Sequence, residues 1–264
     1  MDSRDEARLG HLNLVEFSRE QARWAQHHAV HDENGVCCFA GDSDWPAYNN
    51  GVLRYDDATP GTAVIAQANA FFNPRRRGFS LWARDQAADT DLYRAIAAAG
   101  YGAMFTYPQL ICRAPLPDGP TSGDTDIRVV VDAAGVADFA EVNAAAYTSY
   151  GAPAEATRSN FGRSHRFLEP SNHAVVGYVE GAPVAAAMIL GSHEIAGVYW
   201  VGTVEAARGR GLAEACTRAV TNLGFQLGAH NIQLQASPMG EPIYRRMGYE
   251  ELYRYTFFLA PPPA

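Results

Sequence analysis

Residues 201–213, VGTVEAARGRGLA, constrain the fold more than any other stretch of the chain. An apolar, strand-like run enters a turn with glycine at alternate positions, Gly209 and Gly211, and a long helical pattern begins directly after it. A Gly-rich turn that opens a helix presents several backbone N–H groups to one point, and the helix dipole adds positive potential there. The turn is therefore a built anion site. It stands out because the chain is acidic, with 21 Lys and Arg against 29 Asp and Glu and a formal net charge of −8. A surface of that sign argues against a general nucleic-acid binder and suits a cationic partner such as an amine.

The 264 residues are 47% hydrophobic and 19% charged, as expected of a globular chain with a substantial core. None of the four cysteines, Cys37, Cys38, Cys112 and Cys216, forms a CxxC pair, so a zinc site or disulfide framework is not expected. The N-terminal sequence lacks the apolar run of a secretory signal, and no run is long enough to span a bilayer. The expectation is a cytoplasmic protein that meets neither membrane nor nucleic acid. The sequence leaves a homodimer open.

Periodicity predicts a helix over residues 9–31, strands within 35–55, a helix over 61–73, a strand over 78–84, a short helix over 89–99 and a strand over 101–114. Pro115 to Asp124 is a dense Pro/Gly/Ser/Asp cluster, and the domain boundary is placed there, near residue 120. Beyond it come a strand over 127–132, a helix capped by Asp132 and running to Tyr147, and a helical piece over 153–167. A hairpin of strands 174–180 and 184–191 turns at Glu180-Gly181-Ala182-Pro183. The strand 195–204, the Gly-rich turn and a helix to Leu227 follow, then a strand over 230–236, a short helix over 242–247 and a last strand over 249–259.

The two halves resemble each other. Each ends in a short helix with a Tyr-Arg pair, Tyr93-Arg94 or Tyr244-Arg245, followed by Gly-Tyr and a strand. The preceding elements match in order, which reads as an internal duplication; two unrelated halves remain the alternative. The halves differ at the turn. Where the second has the Gly-rich turn, the first has Asp56-Asp57-Ala58-Thr59-Pro60-Gly61-Thr62. Two carboxylates repel a phosphate, and Pro60 has no N–H to donate.

Among phosphate-binding patterns, GxxxxGK[ST] is absent, and a dinucleotide fingerprint would need Gly or Ala where Glu214 stands. The string Arg208-Gly209-Arg210-Gly211-Leu212-Ala213 fits a third pattern, Arg/Gln-x-x-Gly-x-Gly/Ala. It resembles the acetyl-CoA pyrophosphate loop of the GCN5-related N-acetyltransferase (GNAT) superfamily. The flanking strand, helix, strand ending at Ser237, Tyr244 and Met247-Gly248-Tyr249 strengthen the likeness, which covers about residues 126–259. The resemblance implies an α+β fold, a mixed and mostly antiparallel sheet flanked by helices, in two tandem copies. Residues 1–118 would be a degenerate copy without a cofactor loop, and 126–260 the acyl-CoA-binding catalytic copy.

The resemblance further implies that Val201, Gly202 and Thr203 pair with the pantetheine arm and that residues 208–213 hold the pyrophosphate. Ser237 falls where the family often has Asn, and a hydroxyl replaces only part of an amide's hydrogen bonding. Tyr244 matches the position of a general acid toward the CoA thiolate. A phenol with a pKa of about 10 is a reasonable donor to a thiolate of about 8.5. For the general base Glu194 is the first candidate, with His193 and Tyr199 behind it, while Glu205 reads as solvent-facing. The expected activity is transfer of an acetyl group from acetyl-CoA to a primary amine of a small molecule or peptide, without a metal. A non-catalytic acyl-CoA-binding regulator is the alternative.

Other residues read as structural. His28 and His31 sit on one face of the expected first helix without a third ligand. Ser80 lacks the GxSxG context of a nucleophile. Trp45, Trp82 and Trp200 read as core or cleft-wall aromatics.

Overall fold

The computed structural model describes residues 2–119 and 125–263, so the boundary expected near residue 120 lies outside the described residues. The first half comprises helix α1 (Ser3–Trp24), strands β1 (Ala29–Glu33), β2 (Val36–Ala40) and β3 (Asn50–Arg54), helix α2 (Gly61–Phe72), strand β4 (Phe79–Arg84), helix α3 (Thr90–Ala98) and strand β5 (Gly102–Cys112). The second comprises β6 (Thr125–Val129), α4 (Ala133–Tyr147), short helices α5 (Ala154–Arg158) and α6 (Ser164–Phe167), and strands β7 (Asn172–Val179), β8 (Ala182–Ser192) and β9 (Ile195–Thr203). Helix α7 (Leu212–Gln226), strand β10 (Ile232–Gln235), helix α8 (Glu241–Met247) and strand β11 (Glu250–Ala260) complete it.

The first helix departs from expectation at both ends. The Asp2 carboxylate caps it by accepting from the Arg4 and Asp5 amides, and it stops at Trp24. Residues 29–33 instead form β1, antiparallel to β2. Asn34 and Gly35, with φ of 51° and 78°, make the two-residue turn between them. His31 therefore lies in a strand and shares no helix face with His28. The hairpin expected at 180–183 turns on Glu180 and Gly181 alone, with φ of 51° and 80°, and Ala182 and Pro183 already pair within β8.

Among the described residues the strands form one eleven-stranded sheet in the order β1-β2-β3-β4-β11-β5-β10-β9-β8-β7-β6. Its pairs are antiparallel except for β3–β4 and β9–β10, which are parallel. Each half thus contributes a three-stranded meander, a crossover helix, a parallel strand, a short helix and a long closing strand. The closing strands are exchanged. β11 pairs with β4, β5 pairs with β10, and β5 and β11 pair with each other at the centre.

The exchange leaves a core that belongs to neither half alone. Leu14, Phe17 and Trp24 of α1 share one buried cluster with Leu53 and Trp82 of the first half and with Phe139, Phe167, Tyr199, Trp200 and Phe257 of the second. Phe17 stacks on Tyr199 at 3.6 Å between ring centroids. Separate clusters lie under α2 and α7. Among the described residues no helix is long and apolar enough to cross a membrane.

Candidate active site

The sheet opens between β9 and β10, which pair only at Ala196–Ile232 and Gly197–Gln233. Beyond that point Leu234 and Gln235 line a cavity. A β-bulge bends the other wall. Gly202 pairs with Ala186 and Tyr199 with Met188, so Trp200 and Val201 both stand opposite Ala187. Trp200 has a φ of 49°, rare for a bulky residue. Packing holds it there: its Nε1–H donates to Gln21 Oε1 at 3.1 Å, and its ring meets those of Tyr147 and Phe161 at 4.8 and 5.3 Å. A bulge takes main-chain groups out of the ladder, so β9 faces the gap with backbone that no neighbouring strand uses.

Gly202 serves helix α4. A Cβ there would lie 2.8 Å from Asn143 Oδ1 and 3.0 Å from Ala146 Cβ. The missing side chain lets α4 approach the strand.

One cavity, of ≈ 440 Å³, lies over the Gly-rich turn. Of the residues expected to hold the cofactor, Val201, Gly202, Thr203, Arg208, Gly209, Gly211, Leu212, Ala213 and Ser237 line it. Arg210 does not; it is exposed on the outside of the turn. Gly209 and Gly211 have φ of 77° and 76°, and Gly211 is the N-cap of α7. Alternating left-handed residues turn successive N–H groups toward one concavity, a nest for an anion. Nothing lies within 4 Å of a Cβ built on either glycine, so the demand is conformational. Arg208 reaches back to α4, donating to Ser149 Oγ at 3.1 Å and Ala146 O at 3.4 Å, and so ties the turn to that helix's C-terminus. Arg246 on α8 also lines the cavity, a residue that nothing in the sequence singled out.

A second cavity, of ≈ 110 Å³, continues between the halves. Tyr150, Val201, Ser237 and Tyr244 line both. At this junction Tyr150 Oη and Ser237 Oγ are hydrogen-bonded at 2.9 Å. Ser237 Oγ also accepts from the Gly240 N–H at 3.2 Å, which steadies the start of α8. Gly240 leaves room for the Tyr244 ring, since a Cβ there would lie 2.7 Å from Tyr244 Cε2. Tyr244 is 8% exposed. Burial, reinforced by Tyr150, raises its pKa and keeps the hydroxyl protonated.

Residues 137–249 match the model of the Acetyltransferase (GNAT) family. They form a GNAT-family domain. No curated protein matches the chain. Among solved structures, a GCN5-related N-acetyltransferase from Kribbella flavida is similar over 95% of this chain and 96% of its own, with a TM-score of 0.68 and 20% identity. A GCN5-related N-acetyltransferase from Sphaerobacter thermophilus is similar over 86% and 77%, with a TM-score of 0.63 and 17% identity. A tandem GNAT protein from the clavulanic acid biosynthesis pathway is similar over 100% and 98%, with a TM-score of 0.64 and 13% identity. At these identities the likeness is one of fold.

Within the GNAT domain the residues considered as general base are scattered. Glu194 does not join Tyr244. With a φ of 62° it forms the β8–β9 turn together with His193, its side chain is 75% exposed, and it faces His230 Nδ1 at 3.8 Å. The turn needs two left-handed residues, and that requirement carries Glu194 away from the junction. Tyr199 is buried with its hydroxyl donated to Asn13 Oδ1 at 2.6 Å. Glu205 is exposed in a short 3-10 turn. Glu214, among the described residues the one carboxylate lining the larger cavity, is paired with Arg218 at 2.7 Å.

The corresponding helix start outside the GNAT domain is closed by the protein itself. The Gly61 N–H at the head of α2 donates to Asp91 Oδ2 at 2.6 Å, and a Cβ on Gly61 would lie 2.7 Å from Leu92 Cα. The carboxylate of α3 takes the place an anion would need. Asp57 pairs with Arg84 at 2.6 Å, and Asp56 accepts from the Ala58 N–H at 2.9 Å, so both are parts of the framework. Tyr93, opposite number to Tyr244, packs edge-on against Phe258 at 5.4 Å.

Proposed function

We propose that the chain is an acetyl-CoA-dependent N-acetyltransferase acting on a primary amine of a small molecule or peptide. The observation that carries this reading is the meeting of two cavities at Tyr150, Ser237 and Tyr244, one headed by a nest of N–H groups at a helix start. In this reading residues 126–260 are the catalytic copy, and 1–118 is a copy that has lost its cofactor loop and walls the acceptor side.

The donor set suits acetyl-CoA. The nest at 209–213 would hold the pyrophosphate, with Arg246 adding charge, and the free edge of Val201–Thr203 offers main-chain partners to the pantetheine arm. Bound there, acetyl-CoA supplies an activated acyl group. The gap holds donor and acceptor together, so proximity supplies much of the rate. Main-chain N–H groups freed by the bulge would stabilise the developing oxyanion. The amine nitrogen forms the new C–N bond as the C–S bond breaks. Nitrogen loses one proton and sulfur gains one. Tyr244, protonated and buried, would hydrogen-bond the departing sulfur and relay that proton.

Acetyl-CoA binding measured by calorimetry, followed by thiol release across a broad amine panel, tests the reading. Binding with release supports it. Binding without release from any amine favours the regulator instead, and tight ATP or NAD binding with none of acetyl-CoA would sink both.

A further inference from the structure

The smaller cavity is walled by groups unlike those of the larger. Among the described residues, ten of the seventeen that line it are aromatic and none is charged. It is built from both halves: Tyr48, Trp82 and Tyr107 come from the first, Tyr147 and Trp200 from the second, and Phe257 from the exchanged strand β11. Its polar groups are largely occupied with one another. Gln21 donates from Nε2 to Tyr48 O at 2.5 Å and accepts at Oε1 from Trp200. Gln235 Nε2 donates to Gln109 Oε1 at 2.7 Å, and Trp82 Nε1 donates to Ser80 Oγ at 3.0 Å. The rest of the lining is aromatic rings and aliphatic side chains, with the neutral hydroxyls of Tyr48, Tyr107, Tyr147 and Tyr244 among them. One further polar pair, Tyr150 Oη and Ser237 Oγ, hydrogen-bonded to each other, lies at the junction where the reacting nitrogen would sit.

Such a site is hard for an ammonium group. No lining carboxylate would accept it, and the attraction of a cation to ring faces falls short of the cost of stripping its water. Attack also needs an unprotonated nitrogen, and among the described residues no carboxylate or imidazole lines this cavity to remove a proton. A weakly basic amine meets both conditions, because it arrives neutral. Size sets a third. Apolar cavities of about 150 Å³ take a benzene ring, and this one, of ≈ 110 Å³, opens toward its neighbour.

Resting on the acetyltransferase reading, we infer that the acceptor is a compact, weakly basic amine carried on an aromatic or similarly apolar group, uncharged at neutral pH. Polyamines, amino acids and lysine side chains are excluded by the same walls. The reaction is R–NH2 plus acetyl-S-CoA giving R–NH–acetyl plus HS-CoA. The C–N bond forms, the C–S bond breaks, and one proton passes from nitrogen to sulfur.

The test is CoA thiol release from acetyl-CoA with aniline, which is neutral at pH 7, benzylamine, which carries a ring but is cationic, spermidine, and a lysine peptide. Acetyl-CoA binding is measured in parallel. The expected result is a kcat/KM for aniline at least tenfold above that for benzylamine at pH 7. It stays flat from pH 6.5 to 8.5, while benzylamine rises about tenfold per pH unit. Spermidine and the peptide give no release above the blank. Tyr48→Asp, which puts a carboxylate into the wall, raises the benzylamine-to-aniline ratio at least tenfold in protein that still binds acetyl-CoA. Acetyl-CoA binding with spermidine, the peptide or benzylamine preferred at pH 7, or with no aniline turnover, overturns the inference and leaves the cofactor assignment standing. Failure to bind acetyl-CoA overturns the acetyltransferase reading itself.

Discussion

Tyr150 Oη and Ser237 Oγ, 87 residues apart in sequence, are hydrogen-bonded at 2.9 Å across the boundary between the two cavities. The bond joins the end of the helical segment after α4 to the loop before α8, one from each side of the gap. Tyr150→Phe keeps the ring and removes the hydroxyl. Steady-state kinetics should show kcat/KM for the acceptor falling about tenfold, the scale of one lost hydrogen bond. Calorimetric affinity for acetyl-CoA should stay within about twofold.

Tyr244→Phe separates a proton donor from a packing residue. Loss of a general acid costs about 10²–10⁴-fold in kcat, and thermal stability should change little because the ring stays. Burial raises the Tyr244 pKa above its ordinary value, so ionisation of this group should cause no fall in rate up to pH 10. A descending limb centred below that pH and abolished by Tyr244→Phe would contradict the assignment.

Gly211→Glu attacks the nest. The left-handed φ of 76° at this N-cap strains any side chain, by about 1 kcal/mol, and the carboxylate repels an anion. Acetyl-CoA binding should become undetectable by calorimetry while the circular dichroism spectrum is retained. Unchanged affinity would remove the turn from the cofactor site.

His11 ties stability to pH. Its Nε2–H donates to Arg54 O at 2.5 Å, and Nδ1 accepts from the Tyr255 hydroxyl at 2.7 Å, which fixes the neutral tautomer. Burial, and then the charge of Arg84, lower its pKa from 6.5 to about 4. The unfolded chain therefore binds the extra proton first as pH falls. Stability contributed by neutral His11 is complete above pH 6.5 and is lost progressively down to about pH 4, to the extent of roughly 3 kcal/mol. Urea denaturation at pH 7 and pH 4.5 should show that loss, and His11→Gln should flatten the dependence.

Asp89 holds two buried guanidinium groups. Its Oδ1 lies 2.7 Å from both Arg54 and Arg84, and Arg54 is only 1% exposed. Burial alone would raise the Asp89 pKa, but hydrogen bonds and charge from Arg84, then Arg54, hold it below the ordinary carboxylate value. Asp89→Asn removes the central charge and leaves two cations facing each other. Breaking a buried pair costs about 3–5 kcal/mol, which urea midpoints should register even though Asp91 and Asp57 remain.

The Gly-rich turn was readable because its demand is local: left-handed residues followed by a helix start leave their mark in six consecutive positions. Most element boundaries were readable for the same reason. The first helix was misplaced because apolar spacing over residues 9–31 concealed the Asn34-Gly35 turn, whose partner strand decides that 29–33 is extended. Glu194 was misplaced because its backbone, required by a turn, outweighs its chemistry. Tyr150 and Arg246 carry no spacing that marks them. Of the aromatic cavity only Trp82 and Trp200 are legible, as core or cleft-wall aromatics; Tyr48, Tyr107 and Phe257 look like ordinary core residues until β11 enters between β4 and β5.

That insertion sets a timetable for the ribosome. The edge of β4 that β11 occupies lacks its final partner until residues 250–260 are made, 138 residues after β5 ends at Cys112. At about 5–20 residues per second the interval is on the order of ten seconds. Throughout it β5 is already made and itself lacks one of its partners, the same β11. The nascent chain has to keep that seam open, or reopen it, before either half can be finished.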